Sequence, residues 1–198
     1  IQERENLNAE EVYEKAGIYA EFGKVVCISL GFVLQKEGET QIRIKSIANE
    51  DEIVLLQEFL DLLNSYYNSP DFLFCAHNGK EFDIPFLCRR ILINNLKIPY
   101  MLNVSGKKPW EIKHLDTMEL WKFGDFKNYT SLDLLTYVFK IPTPKDDMDG
   151  SQVAKVFYQD KDLDRIIQYC EKDVVATIQL FRKYQGDPLI DEEFIQIA

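Results

Sequence analysis

The first half of the chain passes from the two-residue period of strands to the longer period of a helix. Residues 24–35 are apolar and β-branched, which predicts a largely buried strand, and residues 40–47 alternate apolar and polar positions, which predicts a half-buried partner. The turn-forming residues 36–39 between them indicate a β-hairpin. Residues 50–67 then predict an amphipathic helix. Five apolar positions form its predicted buried face: Ile53, Leu56, Phe59, Leu60 and Leu63.

The second half predicts two short strands and several helices. Residues 71–77 indicate a short buried strand that ends at Asn78-Gly79, and a helix is expected to begin near Asp83. After a loop over residues 97–113, a short strand is expected to end at Asp116. Three further helices are predicted over residues 131–139, 151–158 and 162–184. A hairpin followed by alternating strands and helices predicts an α/β fold with helices packed on a mixed central sheet.

Composition adds an expectation about size and compartment. A chain of 198 residues with 46% hydrophobic residues fits a single domain over residues 1–198, with a charged helical segment at 1–22 and a tail at 187–198. No apolar run approaches the length of a membrane span, and no signal peptide opens the chain, so we expect a soluble, cytoplasmic protein. The scattered cysteines predict buried free thiols rather than a zinc site or disulfides: Cys27, Cys75, Cys88 and Cys170.

The net charge of −10 argues against a protein that coats DNA non-specifically, because such proteins are basic. It does not exclude an enzyme that acts on nucleic acid, since a bound divalent cation supplies positive charge where the phosphate lies.

Three side chains are candidates for such chemistry. Tyr169 and Asp173 lie four residues apart and so project from one face of the last long helix, and Asp83 follows a predicted strand. Carboxylates from separate segments can converge on divalent metal, and we expect Asp83 and Asp173 to do so, with Tyr169 orienting the attacking water. The ordinary alternatives are a helix-start acid at Asp83 and a structural pair on the last helix.

Together these segments resemble a known family. Asn78-x-x-x-Phe82-Asp83 and Tyr169-x-x-x-Asp173 are similar to the second and third motifs of the DEDDy 3′–5′ exonucleases, which include the proofreading domain of family-B DNA polymerases. Residues 116–121 and 149–153 resemble stretches of the stand-alone, polymerase-B-like branch. The histidine subtype has its histidine where Gln168 stands here, so the tyrosine subtype is favoured.

The resemblance implies a ribonuclease H-like, three-layer α/β/α fold and a two-metal site for Mg²⁺ or Mn²⁺. Asp83 and Asp173 would bind metal, Tyr169 would position the nucleophilic water, and Asn78 and Phe82 would shape the pocket for the 3′-terminal nucleotide. The implied substrate is the 3′ end of single-stranded DNA, and the product is a nucleoside monophosphate. An RNA 3′ exonuclease and a catalytically inactive nucleic-acid-binding domain remain alternatives. The sequence indicates no particular protein partner.

The chain departs from the family at its first motif, Asp-x-Glu on the first, central strand. The Asp-x-Glu of this chain is Asp191-Glu192-Glu193, in a polar segment after the last helix, where we expect no catalytic role. A natural start upstream of Ile1, an omitted stretch and a true loss of two carboxylates all remain open. We favour an omission, and expect the missing strand to leave an unpaired gap in the sheet.

Other motifs are weaker. Asp146, Asp147 and Asp149 suggest a calcium loop, but Lys145 and Val156 occupy required ligand positions, so a helix cap at Asp149 or Ser151 is the better interpretation. His77 and His114 are too isolated to indicate zinc. The loop lysines, which could meet a DNA backbone, are expected to be solvated: Lys107, Lys108 and Lys113.

Overall fold

The computed structural model describes residues 16–67, 69–125, 129–142 and 148–198, and it shows a mixed α/β fold. Strands β1 (Cys27–Lys36) and β2 (Glu39–Ala48) form an antiparallel hairpin from Cys27↔Ala48 to Lys36↔Glu39. Glu37 and Gly38 form its turn with φ values of 55° and 89°, the positive pair that a tight hairpin requires. Strand β5 (Ile195–Ile197) adds to β2 in parallel, so this sheet is mixed.

A second, smaller sheet contains β3 (Cys75–Ala76) and β4 (Leu115–Asp116), which pair in parallel. Within the described ranges, no strand joins β1 to β3. The strands therefore form two sheets, one of order β1-β2-β5 and one of order β3-β4. The mixed α/β fold class predicted from the sequence is confirmed, and it is consistent with a ribonuclease H-like exonuclease fold.

Apart from α3 (Thr117–Lys122), which the sequence analysis did not foresee, the helices follow the predicted segments closely. Their bounds are α1 Glu52–Tyr66, α2 Asp83–Ile93, α3 Thr117–Lys122, α4 Leu132–Phe139 and α5 Leu163–Gln185. Between α4 and α5 a compact helical segment combines a 3₁₀ turn (Gly150–Gln152), an α-turn (Val153–Lys155) and a π-turn (Val156–Asp160). Asp149 caps this segment by accepting the N–H of Ser151 at 2.8 Å, which resolves the choice between Asp149 and Ser151. None of the described helices has the length and apolar character needed to cross a membrane.

The largest core cluster lies between the hairpin, α1 and α2. Four of the five predicted α1 positions are buried, but Ile53 is 52% exposed, and Leu55 is buried instead. At 100° per residue, Ile53 lies about 90° from the centre of the buried stripe, on the flank of the first turn. The buried members of this cluster are Ile47, Leu55, Leu56, Phe59, Leu60, Leu63, Ile84, Ile91, Met101 and Leu102.

The predicted strand over residues 71–77 is shorter than expected. Only Cys75 and Ala76 pair, and Cys75 is exposed, so the prediction that all four thiols are buried was wrong at this position. The reason is that, within the described residues, β3 has a strand neighbour on the β4 side only. All four cysteines are free thiols, and Cys27, Cys88 and Cys170 are half-buried.

The described residues nearest to each end of the chain form short regular elements. The predicted N-terminal helical segment lies mostly outside the described residues, and its described part contains a 3₁₀ turn at Ala16–Ile18. At the other end, Gly186 ends α5 in the left-handed conformation with φ 78°, as predicted. The segment after it buries Ile190 and forms β5, a strand that the sequence analysis did not foresee.

Candidate active site

Tyr169 and Asp173 lie one turn apart on α5, on the face that their spacing predicted. Asp162 caps the helix by accepting the N–H of Arg165 at 3.0 Å. The Tyr169 hydroxyl donates a hydrogen bond to the Asp173 carboxylate, and both side chains are half-buried. Burial, followed by the charge of Asp173 and this hydrogen bond, raises the pKa of Tyr169. The tyrosine is therefore a neutral hydroxyl group at physiological pH.

A partly buried chain of hydrogen bonds fixes α5 on the hairpin next to this pair. The Ser46 hydroxyl on β2 donates to Glu171 of α5 at 2.7 Å, and Ser29 on β1 bonds Ser46 at 2.8 Å. Gly31 provides room for the helix, because a Cβ there would lie 2.5 Å from the Ile178 side chain. These contacts set the rotation of α5, and thereby the direction in which Tyr169 and Asp173 point.

The loop that precedes α2 turns sharply to present Asp83. Asn78 has φ 60°, and its carbonyl accepts the Phe82 N–H at 3.0 Å. Gly79 is required by space, since a Cβ at that position would lie 2.4 Å from the Ala76 Cβ. Asp83 is the first residue of α2, at the end of the helix where backbone N–H groups favour negative charge.

Asp116 is the anchor of this loop. Its buried carboxylate accepts the N–H groups of Asn78 at 2.9 Å and Lys80 at 3.1 Å. It also caps α3 by accepting the N–H groups of Met118 at 3.0 Å and Glu119 at 3.3 Å. Sequence analysis left the role of Asp116 open, because its position at the end of a strand does not reveal which backbone groups its side chain meets.

Asp83 faces solvent on one side, but the protein around its carboxyl group displaces part of the water and raises its pKa. This partial desolvation is the main cause, the N–H of Asp83 opposes the shift, and the negative charge of Asp116 adds to it. A carboxylate that faces solvent and is only partly stabilised by protein groups can bind a cation.

Asp83 on α2 and Asp173 on α5 both affect the pKa of the Cys170 thiol. The pKa of Cys170 is raised by its hydrogen bond with Cys27 and by burial, and the charges of Asp173 and Asp83 add to the shift. That the two carboxylates meet at one cation stays a prediction.

The donor set fits one hard cation. Mg²⁺ commonly binds through one or two carboxylates together with water and substrate phosphate, and Asp83 and Asp173 offer that number of carboxylates. Across residues 16–67, 69–125, 129–142 and 148–198, no group of three or more His, Cys, Asp or Glu side chains is arranged to hold a metal ion. The described residues therefore do not complete the two-metal site that the resemblance implied.

The rim of the site is aromatic. Phe82 is 43% exposed, and its ring centroid lies 5.9 Å from that of Phe86. Beyond it, the Tyr129 hydroxyl donates to Glu81 at 3.1 Å, and Lys122 lies over the Tyr129 ring at 4.6 Å from its centroid. These rim residues had no distinctive spacing in the sequence, and only Phe82 was predicted.

The two histidines brace the backbone around the site. His77 bonds the Thr117 hydroxyl and the Thr130 carbonyl, each at 2.9 Å, and so ties β3 to the segments that follow β4. His114 accepts the Phe74 N–H at 3.2 Å and donates to the Met101 carbonyl at 3.0 Å. Both nitrogen atoms of each imidazole ring are therefore engaged in structural hydrogen bonds. Of the calcium-loop residues considered in the sequence, Asp146 and Asp147 lie outside the described residues.

Comparison with known proteins gives a consistent result. A family model described as a predicted 3′–5′ exonuclease related to the exonuclease domain of PolB matches residues 18–192. A DNA polymerase of Pyrococcus glycovorans is 22% identical over 151 residues, which cover 71% of this chain and 19% of the polymerase. The chain thus spans about a fifth of the length of that relative.

Proposed function

Since the chain belongs to the family of predicted 3′–5′ exonucleases related to the exonuclease domain of PolB, we propose that it hydrolyses terminal phosphodiesters at the 3′ end of single-stranded DNA. The proposed reaction depends on Mg²⁺ or Mn²⁺ and releases nucleoside monophosphates. The observation that carries the proposal is the family match over residues 18–192, together with Asp83 at the start of α2 and the Tyr169–Asp173 pair on one face of α5.

Each residue has a distinct role in this proposal. Asp83 and Asp173 hold the divalent cation through carboxylate oxygens. When bound, the cation supplies positive charge at the scissile phosphate and lowers the pKa of water. Tyr169, fixed by its hydrogen bond to Asp173, orients the attacking water. The water oxygen bonds to phosphorus, the bond from phosphorus to the 3′ oxygen of the preceding nucleotide breaks, and that oxygen takes a proton.

The terminal nucleotide needs a surface that does not depend on its sequence. The exposed ring of Phe82 offers a face on which any base can stack. Phe82 directly precedes Asp83, and the Asn78 turn, held by Asp116, accepts the Phe82 N–H at its carbonyl. We therefore assign Asn78 and Phe82 to the pocket for the 3′-terminal nucleotide.

The test is degradation of a 5′-labelled single strand with Mn²⁺ by the native chain and by Asp83→Asn and Asp173→Asn. Each substitution is expected to lower the rate at least about 100-fold, equivalent to about 2.7 kcal/mol in the activation barrier. Asp191→Asn is the matched control, because it alters the Asp-x-Glu sequence after α5 and should leave the rate unchanged. Equal rates for all four proteins would refute the assignment of the site.

One observation favours a second candidate, a nucleic-acid-binding domain without catalysis. The described residues lack a three-ligand metal group, which such a domain would not need. Binding of the labelled strand without shortening, at any Mn²⁺ concentration, would establish this alternative. A parallel assay with RNA of the same sequence separates the two exonuclease substrates, since RNA differs at every 2′ hydroxyl.

A further inference from the structure

The segment that connects α2 to β4 is positively charged, although the chain as a whole is acidic. Residues 97–113, termed here the basic loop, contain four lysines and one glutamate, whereas the whole chain has a net charge of −10. The side chains of all four lysines are exposed: Lys97, Lys107, Lys108 and Lys113. The one glutamate, Glu111, accepts the Lys108 N–H at 2.7 Å and is engaged in the local turn Pro109–Glu111.

Two large aromatic side chains project from the same loop. Trp110 is 78% exposed and Tyr100 is 64% exposed, and the Lys108 ammonium group lies 5.2 Å from the centre of the Trp110 ring. The loop is nevertheless anchored, because Leu102 is buried in the main core and the Met101 carbonyl binds His114. The aromatic rings are thus presented to solvent from a fixed backbone rather than left over from a poorly packed segment.

The basic loop leads directly to the candidate site. Lys113 precedes Asp116 by three residues, so their Cα atoms are at most about 11 Å apart. Asp116 in turn binds the N–H groups of Asn78 and Lys80 in the loop before Asp83. Burial lowers the pKa of His114, its hydrogen bond to the Met101 carbonyl opposes the shift, and the positive charges of Lys80 and Lys107 lower the pKa further. Lys107 of the basic loop and Lys80 of the loop before Asp83 thus act on the same imidazole ring.

We propose that the basic loop binds the single strand on the 5′ side of the terminal nucleotide, with a base stacked on Trp110 and phosphates on Lys107, Lys108 and Lys113. The inference rests on the proposed function for its substrate. Exposed lysines beside an exposed aromatic ring match the two requirements of sequence-independent single-strand binding, a cationic path and a stacking face. The acidic remainder of the protein would direct a polyanion to this loop.

Trp110 provides a measurement that does not require activity. The chain has two tryptophans, and the other, Trp121, is packed with its ring centroid 5.6 Å from Phe139 and 6.2 Å from Tyr184. Fluorescence is titrated with a twelve-nucleotide oligo(dT) in the presence of EDTA. We expect the oligonucleotide to quench the exposed fluorophore, and the Trp110→Phe protein to lose that quenching.

The lysines are tested by salt dependence. Three phosphate contacts predict a slope of about −2 in a plot of log binding constant against log salt concentration, and each lysine replaced should remove about 0.7. Lys107→Ala and Lys108→Ala are compared with Lys36→Ala. Lys36 is the last residue of β1, about 30 Å along the strand from Cys27 and outside the basic loop, so its replacement should not change the slope.

Kinetics separate the failure of this inference from the failure of the proposed function. With hydrolysis established, Lys107→Ala/Lys108→Ala should raise KM for the twelve-nucleotide strand about tenfold and leave kcat, and KM for a trinucleotide, unchanged. Quenching and a salt slope without hydrolysis would support the basic loop alone. Unchanged slopes and KM values would overturn the inference, as would stronger quenching by phosphatidylserine vesicles or by poly-glutamate than by oligo(dT).

Discussion

At the scale of single residues, two tyrosines on α5 form a natural comparison. The Tyr169 hydroxyl donates to Asp173, whereas the buried Tyr184 hydroxyl has no hydrogen-bond partner among the described residues. Tyr169→Phe should lower kcat about 100-fold, because the attacking water loses its orientation. Single-turnover hydrolysis of a labelled strand measures this effect.

Tyr184→Phe is the matched control for that experiment. It removes the same atom from the same helix but breaks no hydrogen bond, so activity should not change. The free energy of unfolding should stay constant or rise by about 1 kcal/mol, since a buried unpaired hydroxyl is costly. Equal losses of kcat in both variants would show that the Tyr169 hydroxyl has no specific role.

At the scale of elements, the Asp116 carboxylate joins the loop before α2 to the start of α3. Asp116→Asn keeps one acceptor oxygen but places an amide group opposite the Lys80 N–H, which the second oxygen now binds at 3.1 Å. We expect a loss of about 1–3 kcal/mol in the free energy of unfolding, because the partly buried Lys80 N–H loses its acceptor. Chemical denaturation measures it.

Asp149→Asn is the control, because Asp149 caps the exposed turn before α5 with one oxygen and faces no buried donor. Its cost should be at most a few tenths of a kcal/mol, since asparagine is an equally good cap. A similar cost for both variants would mean that the loop does not depend on Asp116.

The secondary-structure elements that depend on interactions between residues close in sequence were predicted from local sequence patterns. The hairpin turn at residues 37–38, α1 and the Gly186 stop follow from turn chemistry, helical period and capping, and the structure has all three. The short extent of β3 and the presence of β5 depend on which strands meet in space, and alternation within a few residues does not specify such pairing. The spacing of Tyr169 and Asp173 predicted their shared face for the same local reason.

At the scale of the whole molecule, the buried pair Glu52 and Arg90 joins three parts of the chain. Arg90 Nε lies 2.9 Å from Glu52 Oε1, and the same oxygen accepts the Val25 N–H, so α1, α2 and the segment before β1 meet here. Glu52→Ala should cost about 3 kcal/mol in the free energy of unfolding at neutral pH, because Arg90 is left buried without its partner. A double replacement, Glu52→Leu with Arg90→Met, should cost less than Glu52→Ala alone.

The same pair makes stability depend on pH. Burial works to raise the pKa of Glu52, but the hydrogen bonds from Arg90, Val25 and Asn94 and the charge of Arg90 outweigh it, and the net pKa is lowered. A lowered carboxyl pKa contributes stability above its unfolded value of about 4.3, and this contribution disappears as pH falls through the folded value. The difference between native and Glu52→Ala proteins should therefore shrink below about pH 4. A constant difference from pH 7 to pH 3 would contradict this account.

The candidate site was only partly predictable from the sequence. Asp83 and Asp173 could be selected from their context, but their positions relative to each other depend on the packing of α5 on β1, which sequence spacing does not specify. Asp116 was noticed without a role, because a carboxylate that binds four N–H groups has no signature in spacing.

The open side of β1 has a consequence for the rate at which backbone amides exchange with deuterium. Among the described residues, β1 pairs with β2 alone, while Ile42–Ile44 of β2 pair with both β1 and β5. In the 198-residue chain, amides at these central β2 positions should exchange slowly, whereas alternate amides along β1, which point away from β2, should exchange far faster. An alternating fast and slow pattern from Cys27 to Phe32 would locate the edge of the sheet residue by residue.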